Sequence, residues 1–144
     1  MSTKIFVNVA VKDLEASKAF WGKLGYSFDP MFTDDNAACL VFSEEIYAML
    51  LVEPFFQGFA TKEITDTATH NEVLLCLSAD SRAEVDEKVD AALASGGSPA
   101  KETMEDGPMY GRSFLDPDGH HWEYMFMDVA AMAAMGEAGG APDA

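Results

Sequence analysis

The sequence predicts an α+β fold of two βαβββ repeats, whose strands form a curved, mostly antiparallel, cup-shaped sheet with helices outside. Three stretches carry this reading. Tyr110–Asp128 reads as a β-hairpin around Asp116-Pro117-Asp118-Gly119, where proline presets φ at one turn position and glycine can take φ > 0. Lys4–Val11 alternates Ile5, Val7, Val9 and Val11 against Phe6, Asn8 and Ala10, as a strand with one β-branched face does. From Glu72 the pattern restarts with Val73–Ser78 as a strand and a second helix behind it.

In chain order, Asp13 can N-cap a helix over residues 14–24, on which Leu14, Phe20, Trp21 and Leu24 share one side and Gly25 supplies the left-handed stop. Strands over about 26–29, 37–43 and 46–53 complete the first repeat, about 3–53. Residues 54–71 lack a period and form a connector; its phenylalanines, Phe55, Phe56 and Phe59, are expected to tuck against something apolar, as a satellite cluster or a ligand lid. In the second repeat, about 72–128, Ser81 and Glu84 have the spacing of a capping box for a helix over 81–95, stopped by Gly96-Gly97. Strands follow at about 98–102, 109–116 and 120–128, and setting Lys12-Asp13 over Ala79-Asp80 aligns the two halves. In the last strand His121, Glu123, Met125 and Met127 share one face, while Trp122, Tyr124 and Phe126 share the other, the helix side. Residues 1–128 are thus one domain. The remainder, 129–144, predicts a short helix capped by Asp128 and ended by Gly136, then a disordered tail.

Composition narrows the function classes. With 144 residues, 49% hydrophobic content, 10 Phe and 9 Met, the chain can fill a sizeable core. A net charge of −16 with 9 Lys+Arg argues against nucleic acid as a partner, because phosphate binding needs a basic patch. Cys39 and Cys76 lie in apolar runs and read as buried, reduced thiols. No apolar run approaches the ~20 residues of a membrane span and Met-Ser-Thr-Lys leads directly into a strand, so a cytoplasmic protein with no membrane contact is expected.

The turn Asp116-Pro117-Asp118-Gly119 with Glu123 four residues on, and the N-terminal run Phe6–Phe28 with its strand, Asp13-Leu14 helix start and Leu24-Gly25-Tyr26 stop, resemble the glyoxalase / bleomycin-resistance / extradiol-dioxygenase superfamily, the vicinal oxygen chelate fold. The resemblance covers residues 3–128 and includes the lactoylglutathione-lyase-like branch; the superfamily spans lyases, dioxygenases, epimerases, thiol transferases and antibiotic-binding proteins. In metal-dependent members a glutamate at the place of Glu123 is a metal ligand. The other three ligand positions fall on Phe6, on Leu74 and in the strand at Met49, so the resemblance implies most of a metal site is missing. No cofactor is expected. A divalent metal, if present, would fall to Glu123 and His121, with Glu53 or Glu72 approaching from neighbouring strands.

Without a metal, Glu123 on the floor of a cup lined by Phe6, Met49, Leu74 and Met125 is expected to be desolvated and to act as a general base or as a donor to a ligand. Asn8, Tyr110, Arg112 and His121 are further candidate ligand contacts, Arg112 suiting a carboxylate or phosphate; each also has a plain structural role open to it, Arg112 as a surface cation paired with one of the 25 acids. Two functions stand: binding of an apolar or aromatic small molecule, as bleomycin-resistance proteins do, and a glyoxalase-like lyase or isomerase with Glu123 as acid/base. The expected partners are that small molecule and a second copy of the chain in a homodimer.

Overall fold

A computed structural model describes residues 2–138, and the element order is the expected one with two additions. The first repeat comprises β1 (Ile5–Val11), α1 (Leu14–Lys23), β2 (Ser27–Asp29), β3 (Ala37–Val41) and β4 (Ile46–Val52). A short helix, α2 (Glu53–Phe59), opens the connector. The second repeat comprises β5 (Leu74–Ser78), α3 (Arg82–Ala94), β6 (Ser98–Pro99), β7 (Met104–Asp106), β8 (Met109–Leu115) and β9 (His121–Met127), followed by α4 (Val129–Ala138). Among these helices none is long and apolar enough to cross a membrane.

The capping chemistry holds in detail. Asp13 accepts from the Ala16 amide at 3.0 Å, Ser81 from Glu84 at 3.0 Å, and Glu84 reaches back to the Asp80 amide at 2.7 Å. Gly25, Gly96 and Gly119 all sit at positive φ, where a side chain would be strained. Three details differ. Pro54 at the first turn starts α2, which is only seven residues long and carries no amphipathic period to announce it. The strand expected over 98–102 is cut to the two residues of β6, ending at Pro99, and β7 is an additional short strand beyond it. Finally, α4 is capped by Asp128 as expected but passes through Gly136; the tail beyond 138 lies outside the described residues.

Each repeat forms its own sheet, in the orders β1-β4-β3-β2 and β5-β9-β8-β6, with β7 also on β8. The parallel pairs β1/β4 and β5/β9 sit at equivalent places in both, which confirms the repeat. The two sheets are not hydrogen-bonded into one: no ladder joins β1 to β5, and next to the turn after β8 His120 Nε2 donates to the Ala10 carbonyl at 2.7 Å and the Lys12 amide donates to Asp118 at 2.8 Å.

Aromatic packing joins the two repeats. Phe20 and Trp21 of α1 reach the second repeat: Trp21 lies edge-on to Trp122 at 4.7 Å between ring centroids, and Phe20 is 6.0 Å from Phe114. Phe42, on the helix side of the first sheet, lies 5.6 Å from Trp122, and the Tyr26 hydroxyl bonds to that of Tyr124. Val9, Val11, Ala48, Leu50, Val85 and Val89 join the same core. The helix-covered sides of both sheets therefore share one core, with α1 and α3 packed on that side and their outward faces exposed, as expected.

Trp122 is 2% exposed, and its indole donates to the buried Asp116 carboxylate at 3.0 Å. Replacing it by alanine opens a cavity in the shared core and strands that acceptor, so Trp122→Ala is expected to cost roughly 3–5 kcal/mol in urea unfolding. A loss below about 1 kcal/mol would show that the two repeats do not depend on one core.

Candidate functional site

Strand alternation now decides what faces outward. On β9 Trp122 and Tyr124 point into the core, so His121, Glu123 and Met125 stand on the opposite, outer face. Glu123 lies between Cys76 of β5 and Ser113 of β8. Its nearest polar partner is on its own strand: His121 Nε2 donates to Glu123 Oε2 at 2.9 Å, with the histidine side chain 6% and the glutamate side chain 26% exposed. Spending the Nε2 proton on the carboxylate leaves Nδ1 of a neutral imidazole as an acceptor. Glu123 is a partly exposed carboxylate held by an imidazole.

The pair separates two hollows of similar size. One, about 340 Å³, lies over β8 and β9 and is lined by Glu123, Met125, Gly111, Ser113 and Met104. A side chain at 111 would displace the end of Met125, whose methyl lies 2.6 Å from where a Cβ would be. The other hollow, also about 340 Å³, lies at the seam between the repeats, where Asn8 of β1 meets His121 under the connector residues Phe56, His70 and Glu72. His120 lines it too, so all three histidines of the chain converge there.

The expected site residues thus fall in three groups. His121, Glu123 and Met125 are together, with Leu74 opposite His121 in the β5/β9 register but more than half exposed. Phe6 and Met49 lie on the outer face of the first sheet, where Phe6 stacks on Tyr47 at 4.7 Å and 8°; Asn8 reaches the seam together with its β1 neighbours Val7, Val9 and Ala10, and its amide donates to the Phe6 carbonyl. Tyr110 and Arg112 pair with Phe126 and Tyr124 and so belong to the inner face. There Arg112 bonds Asp86 and Asp90 of α3, both at 2.9 Å, and Tyr110 donates to Asp86 at 2.6 Å, while Arg112 also lines the hollow beside Glu123.

Two other expectations are corrected. Cys39 is buried as expected, but Cys76 on the outer face of an edge strand is exposed; partial burial of its sulfur and the Glu123 carboxylate both push its thiol up, which keeps it protonated. The connector phenylalanines are only partly tucked in: Phe56 lines the seam hollow, whereas Phe55 and Phe59 pack edge-on to each other and remain exposed. His70, His120 and Phe56 were not foreseen as site residues, because nothing local links residue 70 to residue 120.

A divalent ion does not fit these donors. Among the described residues no three His, Cys, Asp or Glu side chains converge as metal ligands would. His120 Nε2 and His121 Nε2 are committed to Ala10 and Glu123, and His70 Nδ1 to the Thr69 hydroxyl at 2.8 Å.

Known structures show the same architecture. A hypothetical protein of S. aureus superposes with a TM-score of 0.73 at 25% identity, covering 88% of this chain and 94% of that one. A glyoxalase/bleomycin resistance protein/dioxygenase family enzyme from Burkholderia phytofirmans follows at 0.69 and 19% identity, covering 88% and 99%. The lactoylglutathione lyase of Agrobacterium tumefaciens gives 0.64 at 18%, covering 88% and 94%. Residues 3–43 match the model of the bleomycin resistance protein-like N-terminal family. The chain has the glyoxalase/bleomycin-resistance/dioxygenase fold. Comparison with curated proteins finds no match. Within this glyoxalase-type fold, identities at this level carry the architecture and leave the chemistry to the residues themselves.

The Arg112 cluster gives a direct check on the inward assignment. Hydrogen bonds from Tyr110 and Arg112 hold the Asp86 carboxyl below the usual range, so the pair's contribution is complete above the ordinary carboxylate pKa and is lost as pH falls through the lowered value. Arg112→Gln should cost about 1 kcal/mol or less near neutrality, and the difference from wild type should close in acid. Equal destabilisation at all pH values would place the arginine's role in packing instead.

Proposed function

We propose that the chain binds an apolar or aromatic small molecule, without a metal, on the outer face of β9, with the His121–Glu123 pair as its polar contact. The observation that carries this is the pair itself: a carboxylate–imidazole couple, 2.9 Å apart, standing between two hollows walled by methionine, glycine and phenylalanine. Its unspent Nδ1 and second carboxylate oxygen accept hydrogen bonds, which suits a ligand bearing hydroxyl or amine donors on an apolar body. Phe6, Leu74, Val73 and Met127 are exposed around these faces. They fit a homodimer in which the first sheet of one copy, with its Phe6–Tyr47 stack, covers the second sheet of the other.

A lyase or isomerase of the glyoxalase-like class is the second reading, and the same couple supports it. An imidazole hydrogen-bonded to a carboxylate is the arrangement that passes a proton to or from a substrate carbon next to a carbonyl. The A. tumefaciens relative of this fold is a lactoylglutathione lyase.

Native mass spectrometry of the purified protein separates these readings from a structural role. Binding predicts an organic adduct that is retained by wild type and lost from Glu123→Gln, with unfolding free energy within about 1 kcal/mol of wild type. Turnover of the methylglyoxal–glutathione adduct by metal-stripped protein, abolished in the same variant, would favour the enzyme. Severe unfolding of Glu123→Gln would make the pair part of the scaffold and remove both. Stoichiometric zinc or nickel surviving dialysis and lost with Glu123 would contradict metal independence.

A further inference from the structure

On the other side of β9 the two sheets splay apart and leave a cleft of about 540 Å³. Ile5, Val7 and Ile46 of the first sheet face Leu75, Leu77 and Trp122 of the second across it. These walls are almost wholly apolar.

Polar groups at the cleft are Ser43 and Ser78 on the strands, Glu84 and Lys88 of α3, and a pair of tyrosines. Tyr26 and Tyr124 both line the cleft, and their hydroxyls are hydrogen-bonded to each other. Two phenols bring two protons, and the contact between them uses one. Neither hydroxyl has a further partner among the described residues, so one O–H remains to be satisfied from within the cleft. Burial pushes both phenols up, so both stay protonated and can only be neutral donors.

The two charged groups nearby are already matched. Lys88 donates to the Leu24 carbonyl at 2.7 Å and lies 4.4 Å over the Tyr26 ring, and Glu84 accepts from the Asp80 amide at 2.7 Å. An anionic ligand would meet the Glu84 carboxylate in a chain of net charge −16, whereas a neutral acceptor beside the two tyrosines meets the spare phenol proton.

We propose that this cleft is a second small-molecule site, distinct from the face carrying His121 and Glu123, and that it takes a neutral apolar molecule bearing one carbonyl oxygen, such as a ketone, ester or amide. The body of the ligand lies between the two aliphatic walls and against Trp122, and its carbonyl accepts from the tyrosine pair.

Acetophenone and ethylbenzene, which have nearly the same shape and differ in the oxygen, test this in ¹H–¹⁵N titrations of the full chain. The expected result is saturable shifts at the Leu75 and Leu77 amides and the Trp122 indole, with acetophenone binding at least fivefold tighter than ethylbenzene. In the Tyr26→Phe/Tyr124→Phe double variant, which keeps both rings, that preference should fall to within twofold while the ethylbenzene affinity is retained. Absence of saturable shifts at those residues up to the solubility limit overturns the proposal. So does equal affinity for the two probes in wild type, or shifts confined to His121, Glu123 and Met125. Should the double variant fail to fold, the wild-type comparison of the two probes and the location of their shifts still decide the proposal.

Discussion

The packing of Trp21 against Trp122 is the contact on which the rest of the molecule turns. It joins the helix of one repeat to the last strand of the other, and Phe42, Phe114 and the Tyr26–Tyr124 pair extend it. Neither repeat has enough apolar surface of its own helix to cover a four-stranded sheet, so each borrows from the other, and a single core results. With the helix-covered faces buried in that core, the opposite faces carry Phe6, Asn8 and Met49 on one sheet and His121, Glu123 and Met125 on the other, and they adjoin at the seam where Asn8 and His121 line one hollow.

The turn Asp116-Pro117-Asp118-Gly119 locks this arrangement from the edge. Asp116 is almost wholly buried and accepts from the Asp118 and His120 amides at 2.9 Å and from the Trp122 indole; burial pushes its carboxyl up against these bonds. Asp118 points the other way, to the Lys12 amide and the Ser17 hydroxyl at the start of α1. Two acids two residues apart thus tie the hairpin to its own core and to the first repeat. Their hydrogen bonds are structural, and His121 and Glu123, the pair we propose as a ligand's polar contact, follow just beyond the turn.

Elements with a local signature were legible in the sequence. Both capped helices, the alternation that buries Trp122 and Tyr124, and the repeat itself follow from spacing within a dozen residues. The facing of Arg112 was also within reach. Counting outward from the turn pairs Leu115 with His121, which places Arg112 opposite Tyr124 and on the inner face. What the sequence could not convey is non-local. How the two repeats come to share one core depends on which faces meet, and alternation within each strand does not decide it. The convergence of His70 with His120 and His121 depends on where the connector lies, and a seven-residue helix without a period gives no hint of that.

The packing of both sheets on one core can be observed directly by nuclear Overhauser spectroscopy on the Trp21, Phe42 and Trp122 rings. Ring centroids 4.7 and 5.6 Å apart predict strong cross-peaks from Trp122 to both Trp21 and Phe42. These should persist within a single chain when labelled and unlabelled protein are mixed. Cross-peaks that are missing, or that arise only between chains in an isotope-filtered experiment, would contradict the shared core and with it the outward placement of His121 and Glu123.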